Sequence, residues 1–130
     1  RVGDLSKNIA RRARSLGTGA FPDEILSRFD DMSRRCIGQV RNAVDAFVQR
    51  NAGKARDVKM LDDSIDRQHH EIAERIVERM GEGGSEVSDF VHLLFCVKNA
   101  ERIADHAVNI AEAAHLKSTG KPIGPVSSLG

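Results

Sequence analysis

Residues 23–50, DEILSRFDDMSRRCIGQVRNAVDAFVQR, decide the fold. Within them Ile25, Phe29, Met32, Cys36, Val40, Val44 and Phe47 recur at spacings of four and three, which draws one apolar stripe along a helix. The stripe predicts a helix from about Asp23 to Arg50. Pro22, Asp23 and Glu24 suit its first turn, where a missing N–H costs nothing and acidic charge meets the positive end of the helix dipole.

Outward from this segment the punctuation is sparse: Gly17 to Pro22, Asn51 to Gly53, Gly81 to Gly84, then Gly120 and Pro122. From about Lys54 to Met80, Val58, Leu61, Ile65, Ile72 and Ile76 form a second stripe. From Ser85 to about Leu116, Val87, Phe90, Val91, Leu94, Val97, Ile103, Ala107, Ile110 and Ala114 form a third, with Ser85 or Ser88 placed to cap it. Three helices of similar length joined by short connections must alternate in direction. The expected fold is therefore all-α, an antiparallel three-helix bundle over residues 22–117 with a flexible tail at 118–130.

Composition agrees. Hydrophobic residues are 40% and charged residues 30%, while aromatics are only 4% and Trp and Tyr are absent. That balance excludes a disordered chain and an aromatic-rich β-sandwich. A net charge of +1 gives no general case for nucleic acid or an anionic membrane. The longest apolar run, Phe90 to Val97, is far short of the roughly 20 residues that span a bilayer. Cys36 and Cys96 lie inside apolar stripes and read as buried free thiols of a cytoplasmic protein.

Residues 1–13, RVGDLSKNIARRA, align without gaps on residues 102–114, RIADHAVNIAEAA, with about half the positions identical. The long offset makes residues 1–16 the expected last helix of a truncated preceding repeat, an extra N-terminal helix beside the bundle. Such a lone helix leaves an apolar face uncovered, so a homodimer is expected.

Two pairs of carboxylates stand four apart, Asp62 with Asp66 and Glu101 with Asp105. Positions i and i+4 share one helical face, where like charges repel unless a cation lies above them. Hard cations prefer carboxylate oxygens, and facing carboxylates on adjacent helices can bridge more than one ion. Asp62 and His69 also interrupt the apolar series close to the seam, where unpaired charge is costly. Asp4 with Asn8 repeats the arrangement near the N-terminus, and His69, His70 or Asn109 could add a ligand. Against this, carboxylates four apart occur by chance in so charged a chain, and Arg67, Arg75 or Arg102 could neutralise them as surface pairs.

Asp66-x-x-His69, Asp89-x-x-His92 and Glu112-x-x-His115 offer a rival chemistry, because helical di-iron oxidases need two such elements around one centre. His92 reads instead as a core or interface histidine and His115 as a helix-end cation. Lys7, Arg11, Arg12 and Arg14 complement a helix C-terminus. Gly81 to Gly84 lacks the Lys and Ser or Thr of a phosphate loop, and Ser85 and Ser88 have no His and acid in order around them. No constellation supports an enzyme.

ERIADHAVNIAEAA at 101–114, its echo at 1–13 and LDDSIDRQHHEI at 61–72 resemble the PhoU family of phosphate-response regulators, which is built from two three-helix repeats, each with an acidic motif. The resemblance spans residues 1–117 and implies the second repeat plus the last helix of the first. It implies that Glu101 and Asp105, Asp62 and Asp66, and the surviving Asp4 bind metal ions, iron or zinc, as multinuclear clusters. It also implies a cytoplasmic negative regulator between a phosphate ABC transporter, through its ATPase subunit, and a membrane sensor kinase, with no nucleic acid and membrane contact only through partners. Two departures stand out: Ala104 replaces the usual Gly of the motif, and His69 and His70 stand where an aromatic residue is common.

The expected function is thus a non-enzymatic, metal-binding regulatory adaptor. The alternatives are a metal-free interaction bundle whose acidic face meets a basic partner, and a carboxylate-bridged di-iron oxidase.

Overall fold

The computed structural model describes residues 23–82 and 87–124. They form three helices, α1 (Asp23–Gln49), α2 (Ala52–Gly81) and α3 (Val87–Thr119), with no strand among the described residues. Side-chain pairs between helices fix their directions. Arg28 reaches Glu71, Arg35 reaches Ser64 and Gln68, and Lys54 reaches Asp45, so α2 runs antiparallel to α1. Arg56 meets His115, Lys59 meets Glu112 and His69 meets Glu101, so α3 reverses again. The bundle is up-down-up as expected, and each helix packs against both others.

The turn between α1 and α2 is tighter than the Gly53 break suggests. Arg50 takes a left-handed φ of 54°, and the N–H of Asn51 bonds to the carbonyl of Ala46 at 2.9 Å. This six-residue closure is a Schellman ending. Asn51 then starts α2 at once, its Oδ1 accepting from Lys54 N at 3.0 Å, which places Gly53 inside the first turn.

Ile25, Phe29, Met32 and Cys36 of α1, Ile65, Ile72 and Ile76 of α2, and Phe90, Leu93, Val97 and Ile103 of α3 fill one half of the core. Ala43, Ala46, Ala55, Ala107, Ala111 and Ala114 with Val58 fill the other. The α1 stripe therefore departs from the sequence reading beyond Cys36. Gln39, Ala43 and Ala46 turn inward, while Val44 and Phe47 remain partly exposed, as does Leu61 on α2. A straight helix drifts by about 20° per heptad against a seven-residue repeat, and small alanines let the helices close on the drifted face.

At the far end α3 continues past Leu116 to Thr119, where Gly120, at φ 73°, ends it with a bond from its N–H to the carbonyl of Leu116. Where the sequence reading begins a flexible tail at 118, residues 120–124 fold back and bury Ile123 in the alanine layer. Buried His115 ties this strap down through Nδ1 and the carbonyl of Lys121, 2.7 Å apart. No described helix is long and apolar enough to cross a membrane. The expected helix over 1–16, with Asp4, lies outside the described residues.

Candidate metal centre

Successive turns of α2 place Asp62, Asp66 and His69 on one face, because their spacings of four and three match the helical period. The antiparallel α3 sets Glu101 and Asp105 opposite. His69 Nδ1 and Glu101 Oε2 lie 2.8 Å apart across the groove, with both side chains largely buried. The other Glu101 oxygen meets Lys98 Nζ at 3.0 Å. Asp105 is exposed at the rim.

Electrostatics bind the four carboxylates into one unit. Burial pushes the Asp62 carboxyl up to about 6, and Asp66, Asp105, Asp63 and Glu101 add to the rise by repulsion. Asp66 is raised by burial, then by Glu101, Asp105 and Asp63, with His69 opposing. Burial lowers the His69 imidazole below its ordinary value, against the pull of Glu101. Beneath them the fully buried Cys36 thiol is pushed up to about 12, first by burial and next by Asp62, so it behaves as a neutral core residue.

Two buried polar atoms in this groove lack a hydrogen bond, Asp62 Oδ1 and His69 Nδ1; the latter is close to Glu101 without hydrogen-bond alignment. The arginines that could have neutralised the site do not. Arg75 pairs with Glu24 on α1, and among the described residues no arginine pairs with Asp62, Asp66, Glu101 or Asp105. The donor set of four carboxylates and an imidazole, close enough to repel, fits a cation in chemical type. As the side chains stand, no three His, Cys, Asp or Glu among the described residues are arranged to hold an ion, so binding requires them to swing inward.

The carboxylate-x-x-His elements do not gather around one centre. Along α3, His92 and Glu112 lie about 14 and 16 Å from Glu101 at 1.5 Å per residue. Glu112 is held by Lys59 and the N–H of Ile123, and it is lowered despite burial because both bond to it. His92 is exposed rather than a core residue, and His115 secures the C-terminal strap rather than standing as a free helix-end cation. Asn109 is exposed.

Comparison with known proteins decides the lineage. Residues 29–114 match the PhoU domain. The chain belongs to the PhoU family. It is 32% identical over 120 residues to a phosphate-specific transport system accessory protein PhoU homolog of Rhizobium meliloti (strain 1021), covering 92% of this chain and 51% of that protein. The homologue of the same description from Caulobacter vibrioides (strain NA1000 / CB15N) is 35% identical over 124 residues, covering 95% and 54%. That from Clostridium acetobutylicum is 30% identical over 123 residues, covering 95% and 56%. This PhoU-family chain spans about half the length of the curated relatives it matches. No solved structure matches it.

Proposed function

We propose that the chain is a regulatory module of a phosphate transport system, acting in the cytoplasm through protein contacts, with metal ions, iron or zinc, held between α2 and α3 by Asp62, Asp66, Glu101 and Asp105. Asp4, which lies outside the described residues, would be a further ligand. The proposed role is negative regulation, with the transporter's ATPase subunit and a sensor kinase as partners and a homodimer as the working form. The observation that carries this reading is the groove in which Asp62 and Asp66 of α2 lie opposite Glu101 and Asp105 of α3, bridged by His69 and Glu101, in a chain whose relatives are phosphate-transport accessory proteins.

A bound ion would supply the positive charge that the facing carboxylates lack. The chain's own residues do the rest: Asp62 and Asp66 present oxygens from one face of α2, and Glu101 and Asp105 present theirs from α3. Drawing them together stiffens the α2–α3 groove and fixes the surface offered to a partner.

The test is a phosphate-starvation reporter in cells lacking the protein that carries this chain. Restoring the wild type is expected to silence the reporter in high phosphate, while Asp62→Asn with Glu101→Gln leaves it active. A reporter indifferent to the protein's loss overturns the regulatory reading. A second reading, in which the acidic groove meets a basic partner directly, draws support from Lys98, an amine already seated on Glu101. It requires that chelation leave partner binding unchanged.

A further inference from the structure

We propose that the outer face of α1 is a self-complementary surface through which two copies of this chain pair, antiparallel, about a two-fold axis near Val40. The inference rests on the homodimer of the reading above and places its interface, apart from the acidic groove of α2 and α3. Four of the ten exposed large apolar side chains among the described residues, Ile37, Val44, Phe47 and Val48, lie close together on α1. Ile37, Val44 and Val48 are spaced by seven and four, so they share one face, with the partly buried Val40 between them. That face is turned from α2, which Arg35 and Gln39 meet on the other side. It borders α3, where Lys117 Nζ lies 4.3 Å from the centre of the Phe47 ring.

An apolar strip of helical period is the seam along which two helices pack. The charges beside it select a second copy as its occupant. Arg34 and Asp45 lie three turns apart on the outer edge of the strip, with 80% and 51% of their side chains exposed. Each has a neighbour in its own chain, Asp30 and Lys54, and still offers most of its surface to a further partner. When two copies of α1 run antiparallel, the same edges meet, and residues equally far from the axis stand opposite one another. Arg34 then faces the partner's Asp45, and Ile37 faces the partner's Val44. The two-fold axis makes each of these contacts twice. Arg41, exposed on the same edge, stands near the partner's Gly38, beside which there is open space. A parallel pairing would instead set Arg34 against Arg34. The strip from Ile37 to Val48 is about 17 Å long at 1.5 Å per residue. That is short for the roughly 800 Å2 per partner of a standard interface, so the expected Kd is on the order of 10 µM.

The experiment follows the full chain by sedimentation velocity from about 1 to about 200 µM, a range that brackets this Kd. Wild type, Val44→Glu, Arg34→Glu, Asp45→Arg and the double variant Arg34→Glu with Asp45→Arg are compared, with helicity checked by circular dichroism. Val44→Glu is expected to raise the Kd at least about 100-fold, because it buries two unpaired carboxylates in the seam. Each charge reversal alone is expected to raise it about 3- to 10-fold, and the double variant to return it to within about twofold of wild type. Arg34 and Asp45 of one chain are about 16 Å apart along α1, so the rescue reports a contact between copies. Weakening by Val44→Glu without rescue in the double variant overturns the two-fold pairing. A wild-type dimer that no α1 variant weakens overturns the interface and leaves the homodimer standing. A wild type that stays monomeric overturns both, and a loss of thermal stability in Val44→Glu would then assign the strip to another part of the same protein.

Discussion

Gln39 on α1 donates its amide Nε2 to the backbone carbonyl of Val58 on α2 at 2.6 Å, with Gln39 buried. It is the point at which the α1 core face passes from large side chains to alanines. Losing the bond leaves a cavity between two helices and removes a tie that sets their register. Gln39→Ala is expected to destabilise the chain by about 1–3 kcal/mol, read from urea denaturation midpoints. Unchanged midpoints would mean that the alanine layer alone sets the spacing.

Arg50 pays a conformational cost to close the α1–α2 turn, because side chains with a Cβ disfavour the left-handed region that its φ of 54° occupies. Arg50→Gly keeps the Schellman bond from Asn51 and removes that strain. The variant is expected to be more stable than wild type by about 0.5–1 kcal/mol in thermal melts. A loss of stability would show that the Arg50 side chain makes a contribution larger than its backbone strain.

The bundle itself was legible because three apolar stripes of helical period leave no other packing. Its details were less so. Gly53 advertises a break, yet Arg50 makes the turn and Asn51 the cap, since a side-chain oxygen aimed at Lys54 N outweighs the preference for glycine. Val44 and Phe47 match the α1 stripe by spacing and sit partly outside because alanines offer closer approach. Ile123 lay in a stretch rich in Gly, Pro and Ser, and only the alanine-lined space beneath it explains its burial.

Burial of Ile123 gives the C-terminal strap a measurable role. Its side chain is the largest of the buried residues in the alanine layer, and its N–H reaches Glu112 Oε2 at 3.4 Å. Ile123→Ala is expected to cost about 1–3 kcal/mol and to speed hydrogen exchange in the last two turns of α3. Stability equal to wild type would mean that the strap only rests on the bundle.

Stability should fall as pH rises from about 4 through about 6 in metal-free protein, as far as Asp62 is concerned. Its folded carboxyl is pushed up to about 6, above its unfolded value of 3.8, so the folded state holds the proton more tightly and loses that advantage on ionisation. Asp66 acts in the same direction, while His69, lowered by burial, acts in the opposite one, since its stabilising effect is lost as pH falls. Asp62→Asn isolates the first contribution. The variant is expected to exceed wild type by on the order of 1–3 kcal/mol at pH 7 and to match it near pH 4. A difference independent of pH would mean that Asp62 is not held against its neighbours.

The site was legible in part for the same reason. Spacing alone aligned Asp62 with Asp66 and Glu101 with Asp105, but it could not pair the helices. The contact between His69 and Glu101 needs the antiparallel register, which the salt bridge of Lys59 with Glu112 and the hydrogen bond of Arg56 to His115 help to fix. The i, i+3 step from Asp66 to His69 was the available signal. Spacing also could not show that Arg75 is drawn away to Glu24.

The burial and carboxylate repulsion that together lift Asp62 make metal the expected stabiliser. An ion that binds the folded chain alone adds RT ln(1 + [L]/Kd), about 2.7 kcal/mol at a hundredfold excess over Kd. Zn2+ added to stripped protein at pH 7 is therefore expected to raise the melting temperature by several degrees and to erase the fall in stability between pH 4 and 6, because the ion takes over the role of the proton. A chelator should reverse both effects. Asp62→Asn with Glu101→Gln, which removes one charge from each helix, should be more stable than wild type without metal and nearly indifferent to its addition. Equal stabilisation of that double variant by Zn2+ would place the ion elsewhere on the bundle and leave the acidic groove to a basic partner.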